Sequence, residues 1–308
     1  KRAVVGINSF GLTSHIALGS AIVSRADGEV SSHDIDKAIK ESAKGSIDPN
    51  KKILYHLPID FRIDGKDILG TPEGSKGIKL ETRVLFVTAF TKHIDMLFET
   101  IENIDIEVSH IIPSPIALAA VALSDKQKTV GCLLVDIGGD TVSVGLYENG
   151  MPLGVHVFPV GSSDITNDIA IGLKTSLEEA EHIKLGSYGL HPKRKVDDII
   201  NARLDDVYDL IDRYLKKMKR SELLPAGIIL VGGGAMQAGI EERTKDALRL
   251  PARIGFTEFF IQSKNKWRDT AWAASYGLIL YSLNRTDDTE KKSSLKEWWT
   301  RLFKQLMP

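Results

Sequence analysis

The chain has one cysteine in 308 residues, Cys132, so no intrachain disulfide and no multi-cysteine metal site can form. Cys132 stands in an apolar run and reads as a buried core thiol, which fits a reducing, cytoplasmic setting. Charge of one sign is also lacking. Lys and Arg total 40 and Asp and Glu total 41, for a net charge of −1, so no whole-molecule field draws in nucleic acid or an anionic surface. Long apolar runs are missing too. The stretch Ile111–Leu123 is broken by Pro113 and Pro115 and falls short of the about 20 residues a spanning helix needs. His15, His56, His93, His110, His156 and His182 show no metal-ligand spacing and read as structural. No Ser/His/Asp constellation stands out, and no signal peptide opens the chain. What remains, 43% apolar and 26% charged residues, is ordinary globular usage. The opening Lys1-Arg2-Ala3, without Met, reads like the interior of a longer sequence.

Patterning predicts a small α+β unit over residues 1–79. Strands are expected at Val4–Ile7, His15–Val23, Ile53–Ile59 and Phe61–Ile63, a Ser32-capped helix at Asp34–Ala43, and a glycine-rich loop over 65–77. Residues 80–130 alternate strand (Arg83–Ala89), amphipathic helix (Lys92–Ile101), strand (Val108–Ile112) and Ala-rich helix (Pro115–Leu123), which argues for an α/β fold. Next comes an apolar strand Cys132–Ile137, a turn Gly138-Gly139-Asp140-Thr141, and two strands joined at Asn149-Gly150. A capping box at Ser176-Leu177-Glu178-Glu179 opens a short helix. A basic loop His191–Lys195 precedes a long helix, Val196–Lys219. A second strand, Gly227–Val231, ends in Gly232-Gly233-Gly234, and Thr270–Leu283 reads as a core helix.

Two glycine bends carry the chemistry. Asp136-Ile137-Gly138-Gly139-Asp140-Thr141 is either a plain hairpin turn or a nest of backbone N–H groups for phosphate, with Asp136 holding Mg²⁺ through water and Thr141 bonding a phosphate oxygen. Val231-Gly232-Gly233-Gly234-Ala235 suits a ligand lying flat on the backbone. Together and in this order they resemble the phosphate-2 and adenosine motifs of the actin-like ATPase superfamily. Ala180–Lys184 resembles its helix whose Glu and Lys, here Glu181 and Lys184, touch ribose and base, and Ile112–Leu123 and Ala271–Leu280 resemble its two connecting helices. Within the superfamily the chain is similar to the bacterial FtsA family.

The resemblance implies an actin-like (ribonuclease H-like) α/β fold with an inserted SHS2-like α+β subdomain, lacking the family's N-terminal phosphate-1 hairpin. It places the insert at 1–79, the rest of the first lobe at 80–130 and 270–283, and the second lobe at 131–269. It implies ATP and Mg²⁺ as cofactors, bound by Asp136, Gly138, Gly139, Thr141, Glu181, Lys184, Gly232, Gly233, Gly234 and Ala235. Three departures stand out: the missing hairpin, Asp140 in place of the family's third phosphate-2 glycine, and a shortened segment 187–224 without the family's strands. Where polymer-forming relatives carry the acid that orients the attacking water, this chain has Ser114, so weak or absent turnover is expected. The implied role is a cell-division adaptor that self-associates, contacts other divisome proteins through the insert, and holds the tail of the tubulin-like protein FtsZ through Arg203 and Asp206. No nucleic-acid partner is implied. A PilM-like scaffold of type IV pilus assembly is the alternative, and a kinase or chaperone ATPase of the same superfamily a more distant one.

Residues 284–293 read as a polar linker. Beyond it Leu295, Trp298, Trp299, Leu302, Phe303, Leu306 and Met307 recur at helical spacing, with Lys296, Arg301 and Lys304 elsewhere and Lys291 and Lys292 upstream. That pattern suits a helix lying on an anionic membrane surface, the alternative being a terminal helix packed on the domain. The expected location is the cytoplasmic face of the cell membrane, peripheral, at the division site.

Overall fold

Strict alternation in Thr13–Ile22 (β2) buries Ala17 and Ala21 and turns Ile16, Leu18 and Ile22 outward. In this computed structural model, which describes residues 2–255 and 270–286, β2 pairs antiparallel with Lys79–Phe90 (β5) from Thr13↔Thr88 to Ile22↔Lys79. Lys51–Ile63 (β3) pairs with the other side of β5, and Lys66–Ile68 (β4) with β3. Helix α1 (Ser32–Ala43) lies on the buried face, where Gly19 makes room. A Cβ there would stand 2.1 Å from the Ala38 carbonyl oxygen. Ile35, Ala38 and Ile39 of α1 then share a core with Phe61, Leu80, Val84 and Phe86.

The expected boundary after residue 79 therefore cuts the strand that completes this sheet at its first residue, because pairing across so many residues leaves no local mark. The segment after Ile63 is a hairpin rather than a plain loop: Asp64 (φ 49°) and Gly65 (φ 79°) both adopt the left-handed conformation a two-residue turn needs. Arg2–Ile7 (β1) is outside this sheet and pairs with Glu107–Pro113 (β6). Helix α2 (Thr91–Glu102) follows β5 as expected.

The cap of α1 is Ser31 rather than Ser32. Asp34, fully buried, accepts hydrogen bonds from Ser31 N (2.9 Å), Ser31 Oγ (2.6 Å) and Ser24 N (3.0 Å). Burial pushes its carboxyl upward, but these bonds outweigh it and bring the pKa down to about 2. A carboxyl held below its unfolded value of 3.8 contributes stability that is complete above about pH 4 and fades as the pH falls through about 2. We expect Asp34→Ala to cost about 2 kcal/mol at pH 7, read as a lower urea midpoint, with the difference from the parent shrinking on acidification. A pH-independent difference would contradict this assignment.

The described residues divide into two compact units, one of residues 2–4, 13–111 and 280–286, the other of 5–12, 112–255 and 270–279. This grouping places 112–130 and most of 270–283 with 131–269, whereas the sequence reading set them with residues 80–111. In the second unit Cys132–Ile137 (β7), Val142–Glu148 (β8) and Met151–Phe158 (β9) form an antiparallel meander. Ile228–Val231 (β10) runs parallel to the free side of β7, and Ala252–Ile254 (β11) parallel to β10. One layer of helices covers the sheet: α5 (Ser162–Leu173), α6 (Leu177–Lys184), α7 (Lys193–Lys217) and α8 (Ile240–Leu248) bury Ile169, Ile183, Ile200, Leu204, Ile211 and Ile240 in one core with Leu133, Val135 and Leu230. Helix α7 starts inside the stretch expected as a basic loop, directly after Pro192, and no strand occurs in 187–224. The short α4 (Asp125–Val130) leads into β7.

Helix α3 (Ser114–Ala122) and helix α9 (Ala273–Thr286) meet where a Cβ on Gly277 would stand 2.3 Å from the Ala117 carbonyl oxygen. Helix α9 runs through residues 284–286, which the sequence reading gave to the linker. The rest of the linker and the amphipathic segment 294–308 lie outside the described residues. Among the described residues no helix is long and apolar enough to cross a membrane.

Candidate functional site

Strands β7 and β10 are parallel neighbours with Val231 opposite Asp136, so the two glycine bends leave the sheet side by side at its carboxyl end. In α/β sheets this is where ligands bind. The first bend closes through Gly138 N–H to the Thr141 carbonyl at 2.9 Å. The carbonyls of Gly138 and Gly139 accept from Ser162 N (2.9 Å) and Ser163 N (2.8 Å), the first N–H groups of α5. A trans peptide sets N–H opposite C=O, so the N–H groups of Gly139 and Asp140 point away from α5 as two adjacent donors. Gly161 must be glycine here, because a Cβ would stand 2.0 Å from the Gly139 oxygen. Asp140 is exposed, so its carboxylate is not buried within the bend.

The second bend is held from outside. Gly232 N bonds the Thr270 carbonyl at 3.3 Å, and Thr270 Oγ1 donates to the Gly232 carbonyl at 2.9 Å. By the same peptide geometry, the N–H of Gly233 points away from Thr270. The three glycines have different causes. Gly232 has φ 91°, and a Cβ on it would lie 2.4 Å from Asp136 Oδ1; a Cβ on Gly234 would lie 2.3 Å from Ile137 Cγ2. Close packing against β7 fixes both. Gly233 has only Ala271 Cβ nearby, at 3.9 Å, so packing does not account for it. Ala235 is wholly buried in the core.

Asp136 sits between the bends. It accepts a hydrogen bond from Ser143 Oγ at 3.4 Å, and among the described residues no lysine or arginine forms an ion pair with it. Burial pushes its carboxyl up to about 6, with the Ser143 hydroxyl working weakly in the other direction. Among the described residues no cluster of three or more His, Cys, Asp or Glu is placed to hold a metal ion. A single carboxylate suits Mg²⁺, which keeps several waters and takes its other ligands from substrate phosphates. Asn8, after β1, was not foreseen. It donates through Nδ2 to Thr141 Oγ1 at 3.3 Å, while its Oδ1 and the neighbouring Ser9 Oγ are buried without a hydrogen-bond partner. Paired outward N–H groups, a half-buried carboxylate and orphaned polar atoms on Asn8 and Ser9 fit a magnesium-bound phosphate chain.

Glu181 and Lys184 lie on α6, capped by Ser176, whose Oγ accepts from Glu179 N at 3.2 Å. Lys184 Nζ reaches Glu181 Oε2 (2.7 Å), Thr166 Oγ1 (2.8 Å) and the Ser162 carbonyl (3.2 Å). Two of these contacts fasten α6 to the start of α5 and the third is to Glu181 on α6 itself, so Lys184 braces the helix that holds the first bend. Glu181 also accepts from Thr166 Oγ1 at 2.6 Å, and these bonds hold its carboxyl below the ordinary range against the opposing pull of burial. Its side chain is still 45% exposed.

Arg203 and Asp206 lie apart from the bends on α7, where Arg203 pairs with Asp168 of α5. Ser114 is buried at the start of α3, next to the backbone of Gly6. Cys132 is fully buried, and its thiol is pushed up to about 12 by burial, as its apolar surroundings foretold.

The profile of the family described as cell division protein FtsA matches residues 133–277, and that of the SHS2 domain inserted in FtsA matches 13–88. The FtsA of Neisseria meningitidis serogroup B is 30% identical over 283 residues, covering 84% of this chain and 68% of the relative. The FtsA of Bacillus subtilis strain 168 is 27% identical over 319 residues, covering 96% and 71%. Among solved structures, the PilM–PilN type IV pilus biogenesis complex superposes with a TM-score of 0.65 at 18% identity, over 91% of this chain and 79% of the other, a likeness of fold.

Proposed function

The chain belongs to the FtsA family of cell-division proteins and has its actin-like fold with an SHS2 insert; on that premise we propose that it binds ATP with Mg²⁺ between its two glycine bends and tethers the FtsZ ring to the cytoplasmic membrane. The observation that carries the nucleotide part is the parallel pairing of β7 and β10, which brings the outward N–H groups of Gly139, Asp140 and Gly233 to the same sheet end as the half-buried Asp136. In this reading the N–H pair and Thr141 take the phosphates, Asp136 holds the hydrated Mg²⁺ and Gly233 lies against the adenosine. Lys184 fixes the first bend in place, and Glu181 offers its exposed carboxylate to the ribose. The bound Mg²⁺ would neutralise phosphate charge.

Ser114 has neither the charge nor the basicity to activate water, so nucleotide acts as a structural switch with slow or no turnover. Actin-like self-association, and divisome contacts through the SHS2 unit, complete the adaptor role. The helical pattern of Leu295, Trp298, Trp299, Leu302, Phe303 and Leu306 supplies the membrane contact. Full burial of one such side chain is worth about 1.5–3 kcal/mol, so one copy binds reversibly and an assembly binds firmly through effective concentration. In liposome flotation the protein is expected to rise with anionic vesicles, and Trp298→Glu with Phe303→Glu to stay at the bottom. A double variant that still floats would remove the membrane assignment.

A further inference from the structure

Arg203 is not an open surface charge. Its Nε donates to Asp168 Oδ2 at 2.7 Å and its Nη2 to Asp168 Oδ1 at 2.9 Å, while Nη1 reaches Asp206 Oδ2 at 3.3 Å. The first two bonds form the parallel fork by which a guanidinium recognises a carboxylate. An internal carboxylate thus occupies the geometry an acidic peptide would use. Asp168 is only 29% exposed and stands on α5, whose first turn is bonded to the first glycine bend through Ser162 and Ser163. From Ser163 to Asp168 is five residues, about 7.5 Å along one rigid helix. Thr166, between them, is joined to Glu181 and Lys184. The bend and the fork are therefore fixed to the same short helix. A small shift of the Gly138–Gly139 backbone would carry α5 with it, and hydrogen bonds weaken steeply once their alignment is lost.

We propose that Asp168 competes internally with the carboxylate of an acidic partner peptide for Arg203, and that α5 ties its grip to the state of the first glycine bend. This rests on the reading of Arg203 as a partner contact. Asp168 is a positioning residue: it acts on the partner only through the guanidinium it holds. A nucleotide that shifts the bend then alters peptide affinity, and peptide binding alters nucleotide affinity by the same factor.

The test uses a fluorescent synthetic peptide of the C-terminal tail of FtsZ from the same genome, titrated by anisotropy with and without Mg-ATP. The parent protein is expected to bind with an affinity that differs at least fivefold between the two conditions. Asp168→Asn should bind at least fivefold more tightly than the parent in whichever condition is weaker, and lose that difference. Asp168→Glu should restore it, and Arg203→Glu should lose the peptide. An Asp168→Asn variant with a parental melting curve that binds the peptide equally or more weakly, with the nucleotide dependence intact, overturns the proposal. If Arg203→Glu binds the peptide as the parent does, the partner reading of Arg203 fails, and the proposal with it.

Discussion

Replacing Asp136 by asparagine is expected to make the ligand-free protein more stable at pH 7 while weakening Mg-ATP binding tenfold or more. The carboxylate is half-buried, receives one long hydrogen bond from Ser143 and has no ion-pair partner among the described residues, so its ionised form is poorly solvated. Its pKa near 6, against 3.8 unfolded, means the folded state binds that proton more tightly than the unfolded chain does. Stability is therefore lost as the pH rises from about 4 through 6, by on the order of 2–3 kcal/mol when complete. Asparagine keeps the shape and removes the charge, so the gain should appear in the urea midpoint at pH 7 and shrink toward pH 4. The same change removes the carboxylate proposed to hold Mg²⁺. Reduced stability with unchanged nucleotide binding would make Asp136 a structural residue instead.

Alanine substitutions along Gly232-Gly233-Gly234 should separate folding from binding. Gly232→Ala combines a left-handed backbone with a contact at 2.4 Å to Asp136 and is expected to cost about 3–5 kcal/mol. Gly234→Ala meets Ile137 at 2.3 Å and should cost about 1–3 kcal/mol. Gly233→Ala meets nothing closer than 3.9 Å and should change stability by less than about 1 kcal/mol, yet weaken nucleotide binding at least tenfold by filling the space proposed for adenosine. Chemical denaturation and calorimetric titration of the three variants give both readouts. A Gly233→Ala protein that binds as tightly as the parent would leave the second bend without a ligand role.

The site was more legible in the sequence than its surroundings. An apolar strand running into Gly138-Gly139 and another into Gly232-Gly233-Gly234 are local patterns, and the register of Asp136 against Ser143 follows directly from the hairpin. The cause of each glycine was not legible, because the demands on Gly232 and Gly234 come from β7, far away in the chain. Asn8 escaped notice because an Asn-Ser pair after a strand looks like any turn; its meaning comes from Thr141, 133 positions later. In the first unit the sequence marked Arg83–Ala89 as a strand, yet nothing local shows that β5 pairs on both sides, with β2 and β3. The Asp168–Arg203 fork joins two helices through side chains 35 positions apart, where helical periodicity is silent.

The central proposal is that the two bends hold a single adenine nucleotide. A crystal structure of the protein with Mg²⁺ and a non-hydrolysable ATP analogue tests it most directly. Phosphate oxygens should lie within hydrogen-bond distance of the N–H groups of Gly139 and Asp140, with the hydrated metal beside Asp136 and the adenosine against Gly233. A nucleotide seated elsewhere, or none at saturating concentration, would contradict it.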